Sequence, residues 1–187
     1  MTVKKTIQRE ATKPSLKSLE PKLDVDFHKQ RVEAILRRHE SLDSARELLG
    51  YDIVAATSDG VKRVRISKTR SFNGISGRTT NREGIEQDAG MIYIMKFRST
   101  KFLNITTGRA GNPTCVWIEE AIDVDTGEKL KSNKLLRHLE LEGSDRQPIF
   151  SDRTAIVAGE TPSKIERLNP AKNGASENTT GVFQAHF

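Results

Sequence analysis

Cysteine is nearly absent. Cys115 is the only one among 187 residues, so no disulfide can form within the chain, and a reducing compartment fits. Long apolar runs are missing too. No stretch reaches the roughly 18 apolar residues of a membrane span. The opening "MTVKKTIQREATKPSLKSLEPK" lacks the apolar segment of a secretory signal. The expectation is therefore no membrane partner and an intracellular location, cytoplasmic or nucleoprotein-associated, with virion association as a variant. Aromatic residues are only 5% and hydrophobic residues 35%. Both suit a modest core with solvated flanks.

Acid is missing from one place in particular. Residues 61–82, "VKRVRISKTRSFNGISGRTTNR", hold seven Lys or Arg and no Asp or Glu. Taken in blocks, residues 1–22 carry net +4, 23–60 carry −3, 61–114 carry +8 and 115–187 carry −3, which total +6. Positive charge is thus concentrated in an N-terminal arm and one central block. That asymmetry points to a polyanion, because neutralising phosphates releases counterions and supplies affinity without sequence readout.

The coarse organisation follows from periodicity and turn chemistry. Residues 26–49 place Val32, Ile35, Leu36, Leu42, Ala45 and Leu49 near one helical stripe, closed by Gly50, with Ser41 a candidate start for a second short helix. "YDIVAAT", Ser58-Asp59-Gly60 and "VKRVRIS" predict a β-hairpin. Its second strand sends Val64 and Ile66 one way and Arg63, Arg65 and Ser67 the other. Thr69–Gly90 reads as a long loop, "MIYIMKF" as a central strand, and "CVWIEEAIDV" with "EKLKS" as a second hairpin around Asp125-Thr126-Gly127. The predicted fold class is α+β: an N-terminal helix packed on a mostly antiparallel twisted sheet, with flexible N- and C-terminal tails. The predicted divisions are 1–22, a basic flexible arm; 23–158, a single domain; and 159–187, a polar, disordered tail.

The expected function is non-enzymatic binding of nucleic acid through a basic strand and Gly-rich loop, assisted by the arm. The candidate contacts are Lys62, Arg63, Arg65, Lys68, Arg70, Arg78 and Arg82, joined by Lys96, Arg98 and Lys101 on neighbouring elements. Phe72, Tyr93, Phe97 and Phe102 lie among them as candidate stacking platforms. No RRM octamer, C2H2 spacing or KH-type GXXG loop is present. An alternative is a structural subunit of a virion or large complex that uses extended arms and self-association.

A second alternative is enzymatic. The succession of helix, "GYDIVAATSDG" and "VKRVRISKT" resembles the opening of restriction-like PD-(D/E)XK nuclease domains. In that family an Asp ends one strand and a Glu-x-Lys motif on the next completes a metal site. The resemblance covers residues 40–70 and would give Asp52 and Lys68 those roles. Ile66 stands where the family has an acid.

Other chemistries find less support. Glu119, Glu120, Asp123, Asp125 and Glu128 cluster around one turn, but "DVDTGE" puts Gly127 where a calcium loop needs an oxygen ligand. No two histidines are spaced as metal ligands, and neither a P-loop nor a Gly-x-Ser-x-Gly elbow is present. The sequence assigns no catalytic residue, no metal and no cofactor.

Overall fold

The computed structural model describes residues 15–16, 25–38, 41–73, 88–109, 114–144, 146–170 and 179–187. Among the described residues, three short helices and ten strands follow in chain order. Helix α1 spans Val25–Leu36, α2 Ser41–Glu47 and α3 Ser132–His138. The strands are β1 Asp52–Thr57, β2 Gly60–Asn73, β3 Met91–Phe97, β4 Thr100–Thr107, β5 Thr114–Asp123, β6 Lys129–Lys131, β7 Gln147–Pro148, β8 Thr154–Val157, β9 Lys164–Leu168 and β10 Thr179–His186.

Strand β2 organises the sheet. One of its edges pairs with β5 from Val64↔Asp123 to Asn73↔Thr114. Its other edge is divided. β1 takes the first half, from Thr57↔Gly60 to Asp52↔Arg65, and β10 takes the second, from Gln184↔Lys68 to Thr179↔Phe72. At the division the register against β5 shifts between Ile66 and Lys68 and again between Lys68 and Thr69. The exit of α2 enters the gap: Gly50 N–H donates to Ile66 O at 2.9 Å, and Ile66 N–H donates to Tyr51 O at 2.8 Å. Such irregularities bend a strand and raise its local twist. The order β7-β3-β4-β5-β2-β1-β8, all antiparallel, accordingly curls into a half-barrel.

The main core lies where the helices meet the sheet. Val32, Ile35 and Leu36 from α1, Ala45 from α2 with Leu48 just beyond it, and Leu135 and Leu136 from α3 meet Ile53, Ile66, Ile92, Ile105 and Ile118 from the sheet. Each large side chain so buried contributes about 1.5–3 kcal/mol. Val64 and Ile66 belong to this core while Arg63 and Arg65 stay half-exposed, as alternation predicts. Ser67 shares the strand with Arg63 and Arg65 but is not solvent-exposed. It is buried beside the register shift and donates to Glu120 at 3.1 Å.

The α+β expectation is corrected here. The protein is mostly sheet, curled into an antiparallel half-barrel with three helices among the described residues, and not a helix packed on a twisted sheet. The helical stripe of residues 26–49 is broken after Leu36 into α1 and α2. The flexible C-terminal tail is corrected too. Residues 164–168 and 179–186 are β9 and β10, and Val182, Phe183 and Ala185 are buried. Residues 164–168 and 179–186 therefore share the sheet with the body. Thr69–Asn73 prolongs β2 instead of opening a loop, and residues 74–87 lie outside the described residues. Among the described residues β3 is not central, because the two-residue β7 is all that lies beyond it. Its apolar second face is met locally, where Tyr93 packs with Cys115, Phe72 and Met95.

Of the N-terminal arm, only Ser15 and Leu16 fall among the described residues. Leu16 is buried against Val54, Ala56, Ala155 and Val157, on the face of β1 and β8 that turns away from the main core. Its N–H donates to Asp152 O at 2.9 Å.

Candidate polyanion interface

The cations of β2 stand on its outer side, but carboxylates meet them there. Asp52 opens β1 opposite Arg65 and is 0% exposed. Its Oδ2 accepts from Arg63 Nε at 2.5 Å and its Oδ1 from Arg65 Nε at 3.1 Å. Arg65 also pairs with Glu160 and lies over the Phe187 ring at 5.5 Å. Farther along β2, Glu119 of β5 binds Lys68 at 2.9 Å through Oε1 and Arg70 at 3.1 Å through Oε2. Arg70 is buried, with its guanidinium 4.9 Å from the centre of the Trp117 ring. A cation held in this way has already exchanged water for a carboxylate and an aromatic face, so it has little charge left to offer a phosphate.

The neighbouring acids are committed as well. Glu120 is buried and pairs with Lys129 at 3.2 Å and Lys131 at 2.9 Å. Burial alone would raise its pKa, yet the two lysines outweigh burial and lower it. Asp123 builds the β5–β6 turn: its Oδ1 accepts from Asp125 N–H at 2.9 Å and Thr126 N–H at 3.3 Å. Those bonds overcome burial and lower its pKa too, helped by His138, whose Nε2 lies 3.4 Å from Asp123 Oδ2 without the alignment of a hydrogen bond. Gly127 carries the positive φ of 74° that the turn needs. Among the described residues no three His, Cys, Asp or Glu gather where they could hold a metal ion.

The two positions singled out by the nuclease resemblance are similarly engaged. Asp52 begins its strand rather than ending one, and both its oxygens accept from arginine. Lys68 is held by Glu119, and Ile66, at the position that departs from the motif, is in the core.

The remaining candidates come together elsewhere. The β3–β4 hairpin turns at Arg98 and Ser99, with Arg98 at φ 55°. Lys96, Phe97, Arg98 and Lys101 occupy its tip. Phe97 is 63% exposed and the Arg98 guanidinium lies 5.4 Å from its ring centre. Among the described residues Lys96, Arg98 and Lys101 make no ion pair, and neither does Lys62 on β2. The tip is braced from α3. Asn133 Oδ1 accepts from Lys101 N–H at 2.6 Å, and Asn133 Nδ2 donates to Ser99 O at 3.0 Å. Of the four aromatics considered as stacking platforms, only Phe97 is exposed. Tyr93 is buried, Phe72 packs against its cluster, and Phe102 meets Trp117 edge-on at 4.7 Å. Arg78 and Arg82 lie outside the described residues.

Sequence reasoning missed the roles of Trp117 and Asn133, and it placed Glu119 in an acidic cluster rather than against Lys68 and Arg70. The signal for Glu119 was available: the basic run of β2 and the acidic run "IEEAID" are matched opposites, and opposite charges favour cross-strand neighbours. Asn133 carried no such signal, since its role depends on how α3 lies beside β4.

No helix among the described residues is long and apolar enough to cross a membrane. No protein-family model matches the chain, and no curated protein matches it.

Proposed function

We propose that this protein binds a polyanion, nucleic acid in the first instance, without catalysing a reaction, and that the β3–β4 hairpin tip makes the contact. One observation carries the reading: an exposed phenylalanine, Phe97, flanked by Lys96, Arg98 and Lys101, none of which has an acidic partner among the described residues. An aromatic ring offers a face to an unpaired base and the cations offer charge to its phosphates. The bracing by Asn133 holds the tip in place before a ligand arrives, which lowers the ordering cost of binding. Lys62, which makes no ion pair among the described residues, adds a further cation on β2. Arg63, Arg65, Lys68 and Arg70 then serve as the ionic fastening between β1, β2 and β5 rather than as ligand contacts.

Size-exclusion chromatography, followed by the ratio of nucleic-acid to protein absorbance, tests the reading. Co-elution with added single-stranded oligonucleotide at low salt, lost at high salt, supports it. Elution free of nucleic acid at both salts contradicts it and leaves the alternative of a structural subunit in a larger assembly.

A further inference from the structure

Strand β9 ends one branch of the sheet. It pairs with β10 and, among the described residues, with nothing else. Every second residue of such a strand turns its N–H and C=O away from the sheet, which makes the edge a template for another strand. β9 is five residues long, carries charges of both signs on Lys164, Glu166 and Arg167, and leaves Ile165 36% exposed between Lys164 and Glu166, so a partner strand must match that charge pattern to pair with it. The register Ala185↔Ile165 and Phe183↔Arg167 puts Ile165 and Arg167 on the face that holds Phe183 and Ala185, and Lys164 and Glu166 on the other. Beside Ile165 lies an open cleft of about 450 Å³ between α2 and residues 158–162, lined also by Asp43, Arg46 and Pro162.

We propose that this edge pairs with the β9 edge of a second copy of the chain, antiparallel and centred on Ile165. The proposal is independent of nucleic-acid binding. Charge complementarity within β9 singles out the register. A two-fold axis perpendicular to the sheet keeps each side chain on its own face, so the axis must pass through a residue pair of the same position. Centring on Lys164, Glu166 or Arg167 sets a like charge against itself, which is destabilising. Centring on Leu168 leaves most of β9 beyond the overlap. Centring on Ile165 sets the two Ile165 side chains against each other on the cleft side. It also places Lys164 of each copy opposite Glu166 of the other on the far side, giving two cross-strand ion pairs.

Light scattering on nuclease-treated full-length chain, with concentration stepped upward, should give a two-chain mass. Ile165→Lys sets lysine against lysine at the axis and should give a one-chain mass, with circular dichroism confirming that it folds. A second pair of variants does not depend on that substitution. Lys164→Glu alone brings four carboxylates together, Glu166→Lys alone brings four ammonium groups together, and each should remain a single chain. Mixed in equal amounts, they should recover the two-chain mass as a heterodimer. A wild-type chain that stays single at every concentration overturns the proposal, and so does a dimer that survives either charge variant.

Discussion

Arg63 Nε lies 2.5 Å from Oδ2 of Asp52, a carboxylate with 0% exposure. Arg65 takes the other oxygen, so a buried acid at the start of β1 is clamped by two cations of β2. Within β2, Arg63 and Arg65 are thus tied into the ionic framework of the sheet.

Asp52→Ala should therefore destabilise the protein strongly. Removing one partner of a buried ion pair typically costs about 3–5 kcal/mol. Because Arg63 is more than one-third exposed, water recovers part of that, and the expected loss is about 3 kcal/mol. Urea unfolding followed by circular dichroism measures it. A loss below about 1 kcal/mol would mean that solvent compensates both arginines and that the clamp is ornamental.

How much of this was legible in the sequence differs from element to element. The β1–β2 connection was readable because its chemistry is local: the chain reverses at Ser58 and Asp59, and Gly60 carries the positive φ of 114°. The β5–β6 turn was readable for the same reason. The pairing of β10 with β2 was not. Gln184 meets Lys68 from the far end of the chain, and the intervening composition is polar, so nothing local announces a strand. The charge block was visible but its use was not. Whether Arg70 faces water or Glu119 and Trp117 depends on β5, 49 residues away. The hairpin tip was half visible: Lys96, Arg98 and Lys101 were on the candidate list, but only burial separates Phe97 from three other aromatics.

Acid should weaken the fold through Glu120 and Asp123. Both carboxyls titrate below their ordinary values in the folded state, Glu120 because Lys131 and Lys129 outweigh its burial, Asp123 because the turn N–H groups do. As pH falls, the unfolded chain therefore takes up these protons first. Their contribution is fully present above about pH 5, shrinks as the unfolded carboxyls protonate, and is lost below the depressed folded values. Thermal midpoints recorded against pH should be level near neutrality and decline in acid. Glu120→Gln should lower the midpoint at neutral pH and shallow the acid decline. A variant that keeps the wild-type decline would remove Glu120 from this role.

Cys115 should be chemically silent in the native protein. Burial pushes its thiol up to about 12, and its Sγ lies 3.8 Å from Asn104 Oδ1 in the packed outer cluster with Tyr93. The thiolate, which is the reactive form, is then scarce at neutral pH. A thiol-reactive dye should label the native chain only as fast as it unfolds and the denatured chain at once. Fast native labelling would place the outer face of β3 and β5 in solvent.

The most direct measurement is the salt dependence of oligonucleotide binding for three proteins: wild type, a hairpin variant with Lys96→Ser, Arg98→Ser and Lys101→Ser, and a β2 variant with Arg63→Lys and Arg65→Lys. Each lost phosphate contact removes about 0.7 from the slope of log affinity against log salt for a single strand. The hairpin variant should therefore lose about 2 units of slope, and Phe97→Ala in the wild-type background should cost about 1–3 kcal/mol of affinity with the slope kept. The β2 variant should bind as the wild type does. The contradicting result is a hairpin variant that keeps the wild-type slope, or a wild type that binds no oligonucleotide at low salt.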